Sequence, residues 1–208
     1  MKIIVFGANG GIGSKVVEQA LEAGHQVTAV VRRPSSITLQ HPQLKVVQGD
    51  ALKLDTVQAA MTGQEAVISS LGISKNEPTT VYSGGIANIM RAMQASGVQR
   101  LMCISASGLD PGPLYQKIAA RLFLWTFFKH SYTDLVRMES EVSANNSLNW
   151  TIVRPPRLTD KERTGHYKIA INKHLANGLM LSRADTADYM LKHLNDPQTY
   201  HGLVEIAY

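Results

Sequence analysis

The stretch Lys2-Ile3-Ile4-Val5-Phe6-Gly7-Ala8-Asn9-Gly10-Gly11-Ile12-Gly13 indicates how this chain of 208 residues folds. The apolar run after Lys2 predicts a buried β-strand, and the apolar spacing from Ser14 onward predicts a helix directly after the glycines. Ordering a glycine costs more conformational entropy than ordering any other residue. Glycines at positions 7, 10 and 13 therefore indicate a tight turn or a close approach that other residues would not allow. We therefore predict a strand, a tight glycine turn and a helix.

The remainder of the chain repeats this alternation of strands and helices. Short apolar runs bounded by turn residues predict strands at residues 26–31, 44–48, 66–69, 100–105 and 150–153. Apolar residues three and four positions apart predict amphipathic helices at residues 14–23, 55–61, 81–96 and 134–144. After position 155 the pattern loosens into a strand that ends at 171, a helix over 184–194 and a last strand over 203–207.

Such alternation predicts parallel strands, because a helix must carry the chain back before the next strand starts. Continuous Val and Ile runs fit a sheet that helices cover on both faces. We predict an α/β fold, a Rossmann-type doubly wound parallel sheet, in a single domain of residues 1–208. In such folds a late, irregular segment often closes the crevice, so residues from about 155 to 208 are expected to complete the substrate side.

Composition and charge exclude several classes of protein. The apolar fraction is 44%, but no apolar run approaches the roughly 20 residues of a membrane span, and no secretory leader is visible, so we expect a cytoplasmic protein. The net charge of +5 comes from scattered basic residues, so nucleic acid is not an expected partner. Cys103 is the only cysteine and cannot form an internal disulfide. The seven histidines lack metal-ligand spacing, so no metal is expected.

The glycine turn has the spacing and the strand–helix context of a dinucleotide-binding fingerprint. Gly7 permits the tight turn, Gly10 lets the backbone approach a pyrophosphate, and Gly13 lets the helix pack closely on the strand. The helix N-terminus adds free amides and the positive end of the helix dipole, which suit a phosphate. The expected cofactor-binding residues of the turn are Gly7, Asn9, Gly10, Gly11, Ile12 and Gly13.

The end of the second predicted strand indicates which dinucleotide binds. NAD-binding sites usually place Asp or Glu there for the ribose hydroxyls, whereas this chain has Arg32 and Arg33, followed by Ser35 and Ser36. A guanidinium group can bind a phosphate through two parallel hydrogen bonds. NADP(H) is therefore the expected cofactor, with Arg32 as the first phosphate ligand and Arg33 as the second.

Two further segments follow predicted strands at the same edge of the sheet. Asp50 and Ala51 come after the third strand, where a carboxylate could bind the adenine amino group and an apolar residue could pack on the ring. A plain turn and helix cap is the alternative for Asp50. Leu71 and Gly72 follow the fourth strand, and the glycine lets the backbone pass near the cofactor. We expect all four residues to contact the cofactor.

Taken together, these segments resemble the atypical short-chain dehydrogenase/reductase family, in the group of the flavin reductases (biliverdin IXβ reductase-like) and the NmrA-like NAD(P)-binding proteins. The resemblance covers nearly the whole chain and rests on residues 6–13, 30–32, 49–50, 69–72, 78–81, 103–106, 137–138 and 153–156. It implies an NADPH-dependent reductase with Ser105 near the nicotinamide and Pro155-Pro156 on the other side of the ring. Flavin reductases carry histidines where this chain has Leu135 and Arg157, so a biliverdin-like substrate is not implied.

The residue pattern also limits the chemistry. Dehydrogenases of the wider superfamily protonate a carbonyl oxygen with a Tyr-x-x-x-Lys pair, which this chain lacks. A flavin or quinone needs less help, because the oxidised ring accepts hydride readily and solvent can supply the proton. We predict a reductase of flavins, quinones or similar conjugated acceptors, with Ser105 and Arg157 as candidate catalytic residues. The alternatives are that Ser105 only forms a turn and that Arg157 is a solvated arginine beside Asp160. Glu139 is expected on a helix surface.

The run of residues 118–128 is apolar nearly all round a helix, which is more than one packed face needs. It predicts packing in the core or against a protein partner or dimer mate, with a substrate wall or membrane-surface contact as alternatives. With the missing Tyr-x-x-x-Lys pair, it supports a second hypothesis: a non-catalytic NADP(H)-binding regulator or assembly factor of NmrA-like type. A sugar-nucleotide epimerase-like enzyme is a weaker hypothesis, because the chain is short and lacks the tyrosine.

Overall fold

Strands and α-helices alternate along the chain up to residue 154, as the apolar pattern predicts, except that only the 3₁₀ turn Pro34–Ser36 separates the second strand from the third. The computed structural model describes residues 1–73, 77–109 and 114–208, and for residues 114–127 it describes the backbone alone. Within these ranges the strands are β1 (Lys2–Phe6), β2 (Gln26–Val31), β3 (Leu44–Gln48), β4 (Ala66–Ser69), β5 (Arg100–Ile104), β6 (Asn149–Arg154), β7 (Arg157–Thr159), β8 (Lys168–Ile171), β9 (Met180–Ser182) and β10 (Gly202–Ala207). The helices are α1 (Gly11–Glu22), α2 (Leu54–Met61), α3 (Val81–Ser96), α4 (Leu114–Ser143) and α5 (Arg183–Lys192).

Within the described residues, the larger sheet has the order β3-β2-β1-β4-β5-β6-β10-β8. The strands from β3 to β10 pair in parallel, whereas β8 pairs antiparallel with β10. The chain winds outward from β1 to β3 and then crosses back to β4, which confirms the predicted doubly wound Rossmann-type fold. The change of direction lies between β1 and β4, and in such sheets ligands bind in the crevice at the carboxyl ends of these strands.

Helices cover both faces of this sheet, which explains why its strands are continuously apolar. On one face Ile3 and Val5 of β1 pack with apolar residues of α1 and α5. On the other face Ile4 and Phe6 pack with apolar residues of α2, α3 and α4. Each of these side chains is almost fully buried, which stabilises the fold by about 1.5–3 kcal/mol per side chain. Two apolar faces therefore hold β1 rigidly beneath the glycine turn.

The segment after residue 155 departs from the predicted pattern of parallel strands. The β8 strand runs antiparallel to β10, because no helix returns the chain to the amino edge of the sheet between β6 and β8. The short strands β7 and β9 pair in parallel as a separate sheet. The sequence did not predict them, because strands of three residues are too short to show a periodicity.

The α4 helix begins at Leu114, well before the helix predicted at 134–144. Phe128 interrupts it with φ −130° and ψ 20°, so the predicted helix is the part that follows this kink. The apolar run at 118–127 is helical in its backbone, but its side chains lie outside the described residues, so the predicted packing there stays a prediction. Among the described residues, no helix is both long and apolar enough to cross a membrane.

Candidate functional site

The predicted phosphate-binding turn joins β1 to α1 at the carboxyl edge of the sheet. Gly7 has a φ of 75°, a left-handed conformation that glycine adopts without strain. The Gly10 amide donates to the Gly7 carbonyl at 2.9 Å, and the Ser14 amide donates to the Gly10 carbonyl at 2.8 Å. A Cβ atom on Gly13 would collide with the Gly7 carbonyl oxygen. The close approach of α1 to β1 therefore requires glycine at position 13.

A cavity of about 440 Å³ opens beside this turn. The predicted cofactor-binding residues that line it are Gly7, Asn9, Gly10, Arg32, Asp50, Ala51, Leu71 and Gly72. Because these residues follow β1, β2, β3 and β4, the cavity spans the carboxyl ends of four neighbouring strands. The predicted residues outside the described lining are Gly11, Ile12, Gly13, Arg33, Ser105 and Pro155.

Arg32 and Arg33 are positioned differently. Arg32 lines the cavity at the end of β2, and its side chain is exposed. Arg33 precedes the 3₁₀ turn Pro34–Ser36, and its carbonyl accepts a hydrogen bond from the Ser36 hydroxyl at 2.6 Å. The Ser36 hydroxyl therefore donates its hydrogen to a backbone carbonyl, whereas the sequence suggested that it could bind a phosphate. Of the two arginines, only Arg32 is part of the described cavity wall.

Asp50 lines the cavity and also stabilises its own turn. One carboxylate oxygen, Oδ1, accepts a hydrogen bond from the Leu52 amide at 3.0 Å. The backbone of Asp50 is tied to the Thr56 hydroxyl, which accepts from the Asp50 amide at 3.1 Å and donates to its carbonyl at 3.0 Å. The turn role that the sequence left open is therefore present. The other oxygen, Oδ2, has no hydrogen bond within the described residues and is available to a ligand.

The α3 helix supports the cavity through a glycine. A Cβ atom on Gly85 would lie 2.6 Å from Cδ1 of Leu71, so only a residue without a side chain lets Leu71 occupy this position. One turn later, the Asn88 side chain donates to the Ala51 carbonyl at 3.0 Å. The residues at the ends of β3 and β4 are therefore both fixed by the same helix.

Part of the cavity wall was not identified as cofactor-binding from the sequence. Glu77 and Thr79 line the cavity just before α3 begins. The Thr79 hydroxyl accepts a hydrogen bond from the Val81 amide at 3.1 Å, so it satisfies one of the free amides at the helix start. A threonine just before a predicted helix is a recognisable capping signal, which could have directed attention to this segment.

Ser105 lies directly after β5, on the other side of the crevice from Arg32. It is 5% exposed, and within the described residues its hydroxyl has no hydrogen-bond partner. Its amide donates to the Val153 carbonyl at 2.8 Å, and the Ser107 amide donates to the Pro155 carbonyl at 2.9 Å. These bonds extend the pairing of β5 with β6 and bring Ser105 near Pro155. A buried hydroxyl without a partner costs about 1–3 kcal/mol, and a bound ligand could relieve that cost.

Arg157 begins β7 and is exposed, and its side chain makes no hydrogen bond or ion pair within the described residues. Asp160, which the sequence suggested as its neighbour, instead accepts a hydrogen bond from Nη1 of Arg183 at 2.6 Å. Residues three positions apart in an extended segment face opposite sides, which separates Arg157 from Asp160. The structure therefore leaves Arg157 facing solvent.

Glu139 is buried, which corrects the expectation of a helix surface residue. Arg154, the last residue of β6, donates from Nε at 2.8 Å and from Nη2 at 2.5 Å to the two carboxylate oxygens of Glu139. The bidentate pair joins α4 to the sheet. Sequence spacing could not reveal it, because the partner comes from a strand rather than from the same helix.

Tyr82 and Tyr132 are half-buried tyrosines. Burial raises the pKa of the Tyr82 phenol and of the Tyr132 phenol. The tyrosine of a Tyr-x-x-x-Lys pair needs the opposite, a pKa that a neighbouring lysine lowers toward neutral pH.

The arrangement of these residues fits a dinucleotide across the carboxyl edge of the sheet. The turn between β1 and α1 offers backbone amides and a helix N-terminus to a diphosphate. The cavity beside Arg32 and Ala51 offers a charged and an apolar wall to an adenosine group that carries a phosphate. The Ser105 hydroxyl, which has no partner among the described residues, lies on the other side of the turn, where the second nucleoside would reach the protein.

Sequence comparisons agree with this geometry. A family model described as NAD(P)H-binding matches residues 7–197 of the chain. A protein from Schizosaccharomyces pombe is 30% identical in an alignment that covers 98% of this chain and 88% of that protein. The photosystem II assembly factor Ycf39 from Synechocystis is 28% identical over 50% of this chain, and the match covers 33% of that longer protein.

Two solved structures share the fold over the full chain. Anaerobilin reductase ChuY from Escherichia coli O157:H7 superposes with a TM-score of 0.80 at 23% identity, covering 100% of this chain and 97% of its own. A short-chain dehydrogenase/reductase from Veillonella parvula in complex with NADP superposes with a TM-score of 0.81 at 18% identity, covering 100% and 94%. At these identities the similarity is one of fold.

Proposed function

Because this chain belongs to the NAD(P)H-binding family, we propose that it is an NADPH-dependent oxidoreductase that reduces a flavin, a quinone or a similar conjugated ring. One observation carries the proposal: the buried Ser105 hydroxyl has no partner within the described residues and lies near Pro155, across the crevice from Arg32. The β2 and β5 strands are three strand spacings apart, about 14 Å. An extended dinucleotide bridges such a distance, so its second nucleoside reaches Ser105.

Separate groups of residues hold the parts of the cofactor in this proposal. Arg32 binds the 2′-phosphate, Asp50 and Ala51 flank the adenine, and the backbone amides of residues 9 and 11–13, which exclude the Gly10 amide bonded to the Gly7 carbonyl, bind the diphosphate. When bound, the reduced nicotinamide supplies the hydride, which no protein side chain can provide. We call the cavity beside Arg32 and Ala51 the adenosine cavity. Leu71 and Gly72 form the wall between this cavity and the region beside Ser105.

Ser105 and Pro155 act at the reacting end. The Ser105 hydroxyl donates a hydrogen bond to the nicotinamide carboxamide or to an oxygen of the acceptor, which fixes the orientation of the two rings. Pro155 is buried and has no amide hydrogen, so it presents an apolar surface that excludes water. The proton comes from solvent, which a flavin or quinone tolerates because its oxidised ring accepts hydride readily.

The segment of residues 155–208 completes the substrate side in this proposal. Arg157 is exposed at the start of β7, two residues after Pro155, so an acceptor that enters beside Pro155 meets a free guanidinium group. A positive charge there stabilises the negative charge that develops on a reduced ring. We therefore keep Arg157 as the second candidate catalytic residue.

The preference for NADPH over NADH is tested by a pair of adjacent arginines. Replacing Arg32 with Gln removes the guanidinium of the cavity wall, and we expect NADPH to bind about tenfold more weakly while NADH is unaffected. Arg33→Gln is the matched comparison: Arg33, predicted as the second phosphate ligand, lies outside the described wall, so removing its charge is expected to weaken NADPH binding less. Fluorescence titration measures both affinities. Equal loss of NADPH and NADH binding in Arg32→Gln contradicts a 2′-phosphate contact.

Catalysis is tested by supplying acceptors to the protein with NADPH bound. FMN, riboflavin and a soluble quinone are added separately, and the absorbance of reduced nicotinamide is followed over time. The proposal expects consumption of NADPH that requires an acceptor and that exceeds the rate without protein. Binding of NADPH without consumption by any of these acceptors contradicts it.

A second candidate function has one specific observation in its favour. The Synechocystis relative is a photosystem II assembly factor, so a non-catalytic NADP(H)-binding regulator or assembly factor is the alternative. It requires a protein-binding surface, for which residues 118–128 of α4 are the candidate. Phe128 at the end of this run is exposed, as is Val136 on the next part of the helix. NADPH binding without turnover, together with a partner or dimer that Phe128→Ser disrupts, favours this function over the reductase.

The cytoplasm is the location we propose for this protein. Cys103 is a free, fully buried cysteine, and burial raises the pKa of its thiol. A protonated, inaccessible thiol has no need of an oxidising compartment. Cell fractionation tests the proposal, and recovery of the chain outside the cytoplasmic fraction contradicts it.

A further inference from the structure

Arg183 is held beside the glycine turn by the packing of α5 against α1. It is the first residue of α5, directly after Ser182, whose hydroxyl accepts from the Asp185 amide at 2.8 Å and so caps the helix. The buried faces of the two helices share one apolar cluster, in which Val16 of α1 and Ala187 of α5 take part. The start of α5 is thereby fixed next to the start of α1.

The side chain of Arg183 rests on Gly11. A Cβ atom on Gly11 would lie 2.6 Å from both Cδ and Nε of Arg183, so the arginine occupies the space that any other residue would fill. Arg183 is therefore next to the free amides of the helix N-terminus, and it is not part of the described lining of the cavity beside Arg32. Sequence reasoning did not identify Arg183, which follows Gly11 by more than 170 residues.

An ion pair with Asp160 orients the guanidinium group. Nη1 of Arg183 donates to Oδ1 of Asp160 at 2.6 Å, which is the only hydrogen bond of this guanidinium within the described residues. The side chain of Arg183 is 31% exposed and that of Asp160 is 89% exposed. An exposed pair of this kind contributes little to stability. Nε and Nη2 remain available to an anion.

We propose that Arg183 binds the diphosphate of the cofactor, from the side of the glycine turn opposite the adenosine cavity. The proposal rests on the NADPH-binding function proposed above. A diphosphate at this turn receives hydrogen bonds from backbone amides, but these leave its outer oxygens facing solvent. In this proposal the Arg183 guanidinium, whose exposed ion pair with Asp160 uses Nη1, donates from its other nitrogens to the diphosphate beside the positive end of the α1 dipole.

In this proposal Arg32 and Arg183 bind different parts of the NADPH cofactor. Arg32 lines the adenosine cavity, where a 2′-phosphate lies, whereas Arg183 contacts Gly11, where the diphosphate lies. Four probes separate the two sites: NADPH carries both groups, NADH and ADP-ribose carry the diphosphate alone, and 2′-AMP carries the 2′-phosphate alone.

The test is the binding of these four probes to Arg183→Gln, measured by titration calorimetry. We expect binding of NADPH, NADH and ADP-ribose to weaken about tenfold, with 2′-AMP unchanged. Arg183→Lys keeps the charge and recovers part of the loss. Arg163→Gln is the matched control, because Arg163 forms an exposed ion pair with Glu22 at the far end of α1, and it leaves all four affinities unchanged.

Each contrary result has a distinct meaning. Wild-type affinity of Arg183→Gln for NADPH, NADH and ADP-ribose overturns the diphosphate contact while leaving the cofactor proposal intact. Equal loss of 2′-AMP binding also overturns it, because Arg183 then acts on the fold of the turn. Failure of the unmodified protein to bind either nicotinamide dinucleotide rejects the proposed function itself.

Discussion

The two ends of β5 are built differently, although both are buried. At the amino end, all three guanidinium nitrogens of Arg100 donate hydrogen bonds, among them Nε to the Leu194 carbonyl at 2.5 Å and Nη1 to the Asn149 carbonyl at 2.7 Å. At the carboxyl end, the Ser105 hydroxyl has no partner within the described residues. At the amino end, every guanidinium nitrogen of Arg100 has a hydrogen-bond acceptor. At the carboxyl end, no described residue accepts a hydrogen bond from the Ser105 hydroxyl.

Arg100 shows how a charge can be buried without a carboxylate partner. Burial lowers the pKa of its guanidinium to about 10, which reflects the cost of removing the charge from water. The group lies 4.7 Å over the Tyr200 ring and binds the carbonyls of His193 and Leu194, just beyond the negative end of the α5 dipole. These contacts join β5 to the end of α5.

The difference separates stability from ligand binding along the same strands. In an open parallel sheet, ligands bind outside the carboxyl ends, so the amino ends are free to be filled by structural contacts. Changes at the amino end should therefore alter unfolding but not cofactor affinity, and changes at the carboxyl end should do the reverse. Four substitutions test this division, from the largest expected effect to the smallest.

Arg100→Met is expected to lower the free energy of unfolding by at least about 3 kcal/mol, because several buried carbonyls lose their only charged donor. Urea unfolding measures the change. The folded fraction should bind NADPH with the affinity of the unmodified protein. Arg100→Lys is the control, because lysine keeps the charge with fewer donors. Its free energy of unfolding should lie between those of the unmodified protein and of Arg100→Met. A large loss of NADPH affinity in folded Arg100→Met contradicts the separation of stability at the amino ends from ligand binding at the carboxyl ends.

Gly13→Ala is expected to abolish measurable NADPH binding, because the added methyl group collides with the Gly7 carbonyl and forces α1 away from β1. Overpacking of this kind also lowers the free energy of unfolding by about 1–3 kcal/mol. Gly24→Ala provides a comparison of stability alone, since no atom lies near its Cβ position, although its φ of 77° adds strain. Normal NADPH binding by Gly13→Ala contradicts the proposed site.

Ser105→Ala is expected to slow acceptor-dependent NADPH consumption about tenfold, the effect of one lost hydrogen bond to a reacting group. The free energy of unfolding should stay within about 0.5 kcal/mol of the original value or rise slightly, because the lost hydroxyl has no partner in the part of the chain that the structure describes. Steady-state kinetics and urea unfolding give both numbers. A marked loss of stability would mean that the hydroxyl has a structural role.

Asp185 is the exception at the carboxyl side, since it is buried and saturated with hydrogen bonds. Burial by itself raises the pKa of this carboxyl, but hydrogen bonds from Tyr208, Gly165 and Thr164 outweigh it and lower the pKa below its ordinary value. A folded-state pKa below that of the unfolded chain adds stability above the unfolded value, about 3.9, and this is lost as the pH falls through the folded value.

Asp185→Asn is therefore expected to flatten the loss of stability below about pH 4. Urea unfolding at a series of pH values measures the slope, and the effect should be the smallest of the four because other carboxylates also titrate there. Tyr208→Phe removes one donor to Asp185 and should give an intermediate slope. An unchanged slope in Asp185→Asn means that the acid sensitivity arises elsewhere in the chain.

Local patterns predicted the first half of the fold well. The strands β1 to β4 have the bounds that their apolar runs indicated, because turn residues bound each run along the chain. The cavity also gathers Gly10, Arg32 and Asp50, which the sequence assigned to one site because the ends of parallel strands meet at one edge.

The second half was predicted less well, for the opposite reason. β7 and β9 have three residues each and derive their structure from pairing with one another rather than from a pattern of their own. Glu139 looked like a surface residue because its partner, Arg154, lies on a strand across the core. No local window contains both members of such a pair.

The sequence by itself determined the glycine turn, the doubly wound sheet and the arginine at the end of β2, because each depends on residues that are close along the chain. Only the tertiary structure decided that Arg183 lies on Gly11, that Arg100 is saturated with carbonyls and that the Ser105 hydroxyl is left without a described partner. These properties depend on which distant segments pack together. Hydrophobic periodicity predicts burial, but it does not specify the partner of a buried polar group.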